Sequence, residues 1–207
     1  RELVTRDLMR DGAPVTHVVP VEIFGDAGRP VNSVIFKNNP RFSDVFGSGH
    51  LPLVMNDPRT NYCKEDTPTR CVQRGDRHII QQQCAVHGIM DPTLRCELFS
   101  TAGEQERVNS VRQFLPKQYV VCEPNSKDEY TPNRTYPFQK WQRVVDAIRQ
   151  QIPVVQFGVP GSQVLDGAMD MSGRLTFRET CLLIGPARLF LSTEGGLVHG
   201  ATAVDTP

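Results

Sequence analysis

The chain has 207 residues, and its 23 Lys and Arg residues equal its 23 Asp and Glu residues in number. A neutral chain without a long basic run lacks the electrostatic footprint of a nucleic-acid or anionic-membrane binder. No stretch approaches the roughly eighteen apolar residues of a transmembrane helix, and the first residues match neither a signal peptide nor an anchor. We therefore expect a soluble, cytoplasmic protein of one large domain or two small ones.

Six cysteines lie at unequal spacings along the chain, at Cys63, Cys71, Cys84, Cys96, Cys122 and Cys181. This density is too low for a small disulfide-rich scaffold and is typical of reduced, mostly buried thiols. The first four, together with His78 and His87, are close enough in sequence to form a metal site. No pair has the C-x2-C or C-x4-C spacing that structural zinc usually needs, so we predict no bound metal.

Residues 1–116 form a first section in which the signals are weak. Short apolar or valine-rich segments predict strands at 15–24, 33–36, 51–55 and 94–99. Apolar residues at helical spacing predict helices at 1–10, 79–87 and 108–115. Gly88 lies where a helix C-terminal glycine is expected, a turn is expected at 25–28, and the polar stretch 56–76 predicts a long surface loop.

The second section, from residue 117, has clearer signals. Apolar runs predict buried strands at 119–122, 153–157 and 189–191. Pro137 begins a helix whose apolar stripe includes Trp141. Thr176-x-x-Glu179 is a capping box that starts a second helix, and a helix of small residues follows Gly196.

Alternating strands and helices with short connections predict a parallel sheet with right-handed crossovers. In such sheets ligands bind at the carboxyl ends of the strands. The loops at 123–136, 158–163 and 192–196 are therefore expected along one edge.

The last of these loops predicts an anion site. The apolar run 189–191 ends at Ser192, and Gly195 and Gly196 precede the final helix. Unpaired backbone N–H groups and the positive end of the helix dipole suit a phosphate, with Glu194 and His199 flanking it. The alternative is an ordinary turn in which glycine only permits tight packing.

The order of motifs over residues 119–207 resembles the C-terminal half of the heptosyltransferase-like glycosyltransferases of family 9. The residues that carry the resemblance are Pro124-Asn-Ser126, Arg134-Thr-Tyr-Pro137, Trp141, Phe157-Gly158, Asp170-Met-Ser-Gly173, Thr176-Phe-Arg-Glu179 and Glu194-Gly-Gly-Leu-Val-His-Gly-Ala201. The resemblance implies an α/β protein of GT-B type with two Rossmann-like parallel-sheet domains. These would be an acceptor-side domain at 1–116 and a nucleotide-sugar-binding domain at 117–207, with the chain incomplete at both ends.

The resemblance also assigns roles in binding the donor diphosphate. Ser126 resembles the hydroxyl that contacts it, and Arg134 resembles the basic residue, usually lysine, before the aromatic-Pro pair. Gly195 and Gly196 match the positions whose amides meet the diphosphate, and Lys127 is a second candidate ligand. Without the resemblance, Ser126 would be a turn cap and Arg134 a solvated charge.

Further residues are assigned to the donor sugar or nucleotide. Glu194 stands where the family has an aspartate, and His199 matches the family histidine, with a buried core histidine as the alternative. Asn125 and Gly158 complete this set. The catalytic base of the family is an aspartate in an N-terminal Gly-Asp pair. Gly25-Asp26 resembles this pair, which makes Asp26 the candidate base.

These assignments predict an inverting, metal-independent glycosyltransferase without a cofactor. It would move a sugar, such as a heptose, from a nucleotide-diphosphate sugar to a glycan, lipopolysaccharide or protein acceptor. Two alternatives stay open at this point. One is a catalytically inactive relative or fragment that only binds nucleotide sugar or a partner, and the other is a sugar-nucleotide epimerase of GT-B shape.

Overall fold

The computed structural model of the chain describes residues 9–10, 13–24, 27–31, 33, 35–54, 78–85, 87–125 and 134–207. The chain forms two compact units, Arg1–Leu94 and Arg95–Pro207. The sequence prediction placed the boundary near residue 116 instead. The helix Ala102–Arg112 belongs to the second unit because it packs against the helix Phe177–Ile184.

The first unit is built on short strands and one helix. Its described elements are β1 (Met9–Arg10), β2 (Ala13–Pro14), β3 (His17–Phe24), β4 (Ala27–Pro30), β5 (His50–Val54) and α1 (Ile79–Ala85). β1 and β2 pair antiparallel, and β3 lies between an antiparallel β4 and a parallel β5. Val18 and Ile89 form its small core with Phe42, Leu51 and Leu53.

The predictions for the first unit are confirmed only in part. The strands expected at 15–24 and 51–55 correspond to β3 and β5, and Gly88 has the left-handed φ of 77° expected after a helix. The strand predicted at 33–36 is wrong, because residues 35–38 form turns and Ile35 is 55% exposed. The strand predicted at 94–99 is also wrong, since those residues have no regular structure.

Some of these predictions fall on residues whose structure is not described. The surface loop at 56–76 lies outside the described residues, as do residues 1–8 of the first predicted helix and residues 25–26 of the predicted turn. Met9 and Arg10 belong to β1 and not to a helix.

The second unit is a four-stranded sheet covered by helices. Its elements are α2 (Ala102–Arg112), β6 (Val120–Glu123), α3 (Phe138–Ile148), β7 (Val154–Gln156), β8 (Ala168–Asp170), α4 (Phe177–Ile184), β9 (Leu189–Ser192) and α5 (Gly196–Ala203). The strand order is β8-β7-β6-β9, and every pair is parallel. The predicted parallel sheet is therefore confirmed, with β8 as an edge strand that the sequence did not indicate.

Successive residues of the central strands point to opposite faces of the sheet, and both faces are buried. Val121 and Val155 face a cluster that includes residues of α2, α4 and α5. Cys122 and Val154 face the other side, where Trp141 of α3 packs. Burial on both faces explains why these strands are continuous apolar runs in the sequence.

The helix α4 begins with the predicted capping box. Thr176 accepts a hydrogen bond from the Glu179 backbone N–H, and the Glu179 carboxylate accepts one from the Thr176 N–H at 2.8 Å. A second capping box starts α2 at Thr101 and Glu104, and the Arg178 Nε of α4 donates to the Glu104 Oε1 at 2.8 Å. A charge pair that is buried at Arg178 and partly buried at Glu104 therefore joins α2 to α4.

The end of α2 corrects one further prediction. The helix expected to continue to residue 115 ends at Arg112, and Phe114 is 81% exposed.

Among the described residues, no helix has the length and hydropathy needed to span a bilayer.

Two helical glycines test the packing of α5 on α4. An added Cβ at Gly200 would meet the buried Cys181 Sγ, whereas one at Gly103 in α2 meets nothing within 4 Å. We expect Gly200→Ala to lower the free energy of unfolding by about 1–3 kcal/mol, because overpacking outweighs the gain in helix propensity. Gly103→Ala should be neutral or stabilising by up to about 1 kcal/mol.

Urea unfolding of both variants measures these differences. Adding Cys181→Ala to Gly200→Ala should recover part of the loss, because it removes the atom that the new methyl group meets. Equal destabilisation by the two glycine replacements would contradict this account of the α4–α5 contact.

Candidate functional site

The strand order of the second unit puts a switch point between β6 and β9, and we call the space at the carboxyl ends of these two strands the crevice. From β6 the chain crosses through α3 to β7 on one side, whereas β9 lies on the other side of β6. Such a switch of direction opens a crevice at the carboxyl ends of the two strands, where α/β proteins bind ligands. Glu123 ends β6 at this point and Ser192 ends β9, and the two are register partners.

The glycine turn after β9 presents backbone N–H groups at this crevice. Gly195 is the N-cap of α5, and no side chain of the described residues caps the first turn of that helix. The first N–H groups of a helix have no intrahelical acceptor and carry partial positive charge. The start of α5 is therefore suited to an anion, as the sequence predicts.

The backbone does not require glycine at position 195. Its φ of −168° is extended, and the nearest heavy atom to an added Cβ would be the Glu123 Oε2 at 3.8 Å. At Gly196 an added Cβ would lie 3.4 Å from the Phe177 ring, which is closer. Packing against the described residues thus accounts for little at Gly195, and a glycine there also permits a close approach of a ligand to the backbone.

Arg134 and Glu194, both predicted from the sequence, meet at the crevice. The Arg134 Nε lies 3.0 Å from the Glu194 Oε2, and the two side chains are 40% and 60% exposed. An exposed ion pair of this kind is worth about 0–1 kcal/mol. A phosphate that offers two parallel hydrogen bonds to the guanidinium can therefore replace Glu194 at low cost.

Glu123 is a residue of the crevice that the sequence prediction missed. Its Oε2 accepts a hydrogen bond from the Ser192 Oγ at 3.1 Å. Burial raises the pKa of Glu123 to about 7, and the hydrogen bond from Ser192 opposes this shift only in part. The available signal was a carboxylate directly after a buried apolar strand, at the edge where ligands bind.

The remaining predicted donor residues have different surroundings. The Asn125 Nδ2 donates to the Gln163 carbonyl at 3.3 Å, and the buried Gln156 Nε2 donates to the same oxygen at 2.7 Å. Asn125 therefore helps to hold the loop that follows β7. His199 lies in α5 with its side chain exposed, which removes the alternative of a buried core histidine.

Gly158 lies at the carboxyl end of β7, as expected, in a crowded position. An added Cβ would lie 2.6 Å from the Ser162 Oγ and 3.2 Å from the Ser172 Oγ. Both hydroxyls are buried and have no hydrogen-bond partner among the described residues. Buried polar atoms without partners are rare, so this part of the edge has hydrogen-bonding capacity that the described residues do not use.

Several predicted residues lie outside the described part of the chain, namely Asp26, Cys63, Cys71, Ser126 and Lys127. Within the described part, no group of three or more His, Cys, Asp or Glu side chains could hold a metal ion. Burial raises the pKa of Cys122 and of Cys181 to about 12, so both are protonated, unreactive thiols.

Comparison with known proteins gives likenesses of structure alone, since no family model and no curated protein sequence matches the chain. A family 9 glycosyltransferase from Veillonella parvula DSM 2008 superposes with a TM-score of 0.55 at 14% identity, over 65% of this chain and 43% of that one. The E. coli ADP-heptose lipopolysaccharide heptosyltransferase II gives a TM-score of 0.46 at 17% identity, over 58% of this chain and 40% of that one. The chain thus spans less than half the length of either protein. The likeness to the first confirms the expected α/β, GT-B-like fold.

The raised pKa of Glu123 predicts how stability depends on pH. Because the pKa of this carboxyl is higher in the folded state, the protein loses stability as the pH rises from the unfolded pKa of Glu123, about 4.5, through its folded pKa of about 7. The isosteric Glu123→Gln keeps the side chain neutral throughout. We expect the free energy of unfolding of Glu123→Gln, relative to that of the parent, to increase by up to about 3 kcal/mol as the pH rises between these two pKa values.

Chemical unfolding of parent and variant from pH 4.5 to pH 8 measures this difference directly. Other carboxyls titrate equally in both proteins, so they cancel. A constant difference across the range would show that Glu123 ionises as an exposed glutamate does.

Proposed function

We propose that the chain is a glycosyltransferase that binds a nucleotide-diphosphate sugar in the crevice between β6 and β9. The observation that carries this proposal is the turn at Gly195 and Gly196, which lies at the switch point of the sheet beside Arg134 and whose N–H groups no described side chain caps. The fold shared with a family 9 glycosyltransferase supports it. The donor transfers its sugar, a hexose or heptose, to a glycan, lipopolysaccharide or protein acceptor, and no metal or cofactor takes part.

Donor binding begins with an exchange of partners at Arg134. The diphosphate replaces Glu194 as the partner of the Arg134 guanidinium and accepts hydrogen bonds from the amides at the start of α5. Glu194 is then released to accept hydrogen bonds from hydroxyl groups of the donor. Asn125, Gly158 and His199 complete the donor side of the site in this proposal.

Transfer proceeds by direct displacement with inversion. The acceptor oxygen attacks the anomeric carbon, and the bond from that carbon to the phosphate oxygen breaks with its electron pair passing to the diphosphate. Arg134 and the α5 amides stabilise the negative charge that grows there. Asp26 takes the acceptor proton, while Ser126 and Lys127 add contacts to the diphosphate.

The Arg134 side chain gives the first test of the donor site. A lost charge-assisted contact is worth about 1.5–3 kcal/mol, so Arg134→Ala should weaken ADP or UDP binding by roughly ten- to a hundredfold. Arg134→Lys should recover much of the affinity. Arg188→Ala is the matched control, because Arg188 is exposed and precedes β9 at the opposite end of the sheet.

Calorimetry with each nucleotide measures these affinities, and the melting temperatures should stay within a degree or two of the parent. Equal affinity in parent and Arg134→Ala would show that this arginine does not contact the diphosphate. Nucleotide binding without sugar transfer to any acceptor would favour the alternative, a relative that only binds.

Gly195→Ala separates the fold from ligand binding. The extended backbone and the space that the described residues leave around position 195 accept a methyl group, so we expect no loss of stability. The same methyl group stands between the first amides of α5 and an approaching phosphate, so nucleotide diphosphate binding should weaken roughly tenfold or more. Unchanged nucleotide diphosphate affinity in a normally folded variant would contradict the role proposed for the glycine turn.

A further inference from the structure

A hydroxyl group at the crevice faces two hydrogen-bond acceptors. The Ser192 Oγ lies 3.1 Å from the Glu123 Oε2 and 2.7 Å from the Thr193 carbonyl oxygen. A serine hydroxyl carries one hydrogen, whereas a carbonyl and an ionised carboxylate can only accept. An ionised Glu123 and the Thr193 carbonyl therefore compete for a single hydrogen.

A proton on Glu123 removes this competition. A neutral carboxyl has an O–H group that donates to the Ser192 Oγ, and the Ser192 hydroxyl then donates to the Thr193 carbonyl. The two hydrogen bonds form one chain from the end of β6 to the peptide that joins Thr193 to Glu194, and such bonds strengthen each other. Protonation of Glu123 thus completes the contacts of the turn that precedes α5.

The surroundings of Glu123 favour the neutral form near neutral pH. Burial raises the pKa of this carboxyl to about 7, and the hydrogen bond from Ser192 lowers it only in part. No charged side chain in the described part of the chain contributes to the shift. Half of the molecules therefore carry a proton on Glu123 at about pH 7.

The other titratable groups on the elements around this carboxyl have different properties. On β6 and α4, burial raises the pKa of the Cys122 and Cys181 thiols to about 12, so neither changes charge near neutral pH. β9 has no titratable side chain. In the turn, Glu194 is paired with Arg134, and His199 of α5 is exposed.

The position of Glu123 connects its proton to anion binding. Among the described residues, its Oε2 is the nearest heavy atom, at 3.8 Å, to an added Cβ at Gly195, the N-cap of α5. An ionised carboxylate there is an internal anion beside the N–H groups that an external phosphate would use. The neutral acid removes this charge and leaves the Thr193 carbonyl its hydrogen bond. Both effects favour phosphate when Glu123 is protonated.

We propose that the crevice binds a diphosphate together with one proton, which Glu123 holds. Glu123 is then a positioning residue that acts through Ser192 on the turn at 193–196. The proton comes from solvent and returns there when the anion leaves, and no covalent bond between heavy atoms changes. The proposal rests on the proposed function only in placing an anion at this turn.

Calorimetric titration of the whole chain with inorganic pyrophosphate, from about pH 6 to about pH 8, tests the proposal by comparison with Glu123→Gln. The glutamine is neutral at every pH, and its amide can donate to Ser192. If the anion binds only molecules with a neutral Glu123, the ionised fraction lowers the apparent affinity. With a pKa of about 7, the affinity of the parent relative to that of the variant should fall roughly tenfold over this range.

The comparison with Glu123→Gln isolates this one carboxyl. Pyrophosphate and His199 titrate in both proteins, so their contributions cancel in the ratio of affinities. Titrations in two buffers with different ionisation enthalpies should show that the parent takes up roughly half a proton more than the variant at about pH 7. Glu106→Gln changes an exposed carboxylate on α2 and should keep the pH dependence of the parent.

Ser192→Ala tests whether Glu123 acts through the hydroxyl or by its charge alone. At about pH 6 most molecules carry a neutral Glu123, so charge repulsion is weak in both proteins. Loss of the hydrogen bond to Thr193 should still lower pyrophosphate affinity several-fold. Unchanged affinity of Ser192→Ala at this pH would overturn the positioning role.

The remaining outcomes separate this proposal from the proposed function. Equal pH dependence in the parent and Glu123→Gln overturns the proton coupling, as does an absence of pyrophosphate binding at every pH. The proposed function fails in a different way: pyrophosphate binds with its proton, but neither ADP nor UDP binds more tightly than pyrophosphate and no sugar is transferred. That result would leave the coupling at Glu123 supported.

Discussion

The second unit depends on the burial of β6 on both faces and along both edges. Val121 and Cys122 are completely buried on opposite sides of the sheet, and β7 and β9 satisfy the backbone groups of the strand. A strand enclosed in this way accepts polar side chains only where it leaves the core. The carboxyl end of β6 is such a place, and the ionisable side chain of Glu123 lies there.

The same burial controls the electrostatics of the crevice. Glu123 lies at the boundary between core and solvent, so its pKa is raised to about 7 and much of its charge is absent at neutral pH. Glu194 is exposed and its charge is offset by Arg134. Two charged carboxylates beside the proposed phosphate site would otherwise repel an anion. Burial of one and pairing of the other leave the α5 amides electrostatically accessible.

The sequence predicted the second unit far better than the first, for a physical reason. Strands buried on both faces are apolar runs, and α3 and α4 carry a proline start and a capping box that are visible as local patterns. β8 was missed because it has three residues at the sheet edge. In the first unit, the segment at 33–36 contains apolar residues but is held in turns by hydrogen bonds to Ser33 and Asn39, which no periodicity reveals.

The crevice shows the same limit at the level of single residues. Arg134, Glu194 and Gly195 were predicted because their motif order resembles a known family, and the structure joins the first two in an ion pair. Glu123 has no motif of its own, and its importance comes from its partner Ser192 on another strand. Glu123 meets Ser192 only because the strand order places β6 beside β9. A sequence pattern locates the strand ends, but only the order of strands in the sheet decides which of them share a site.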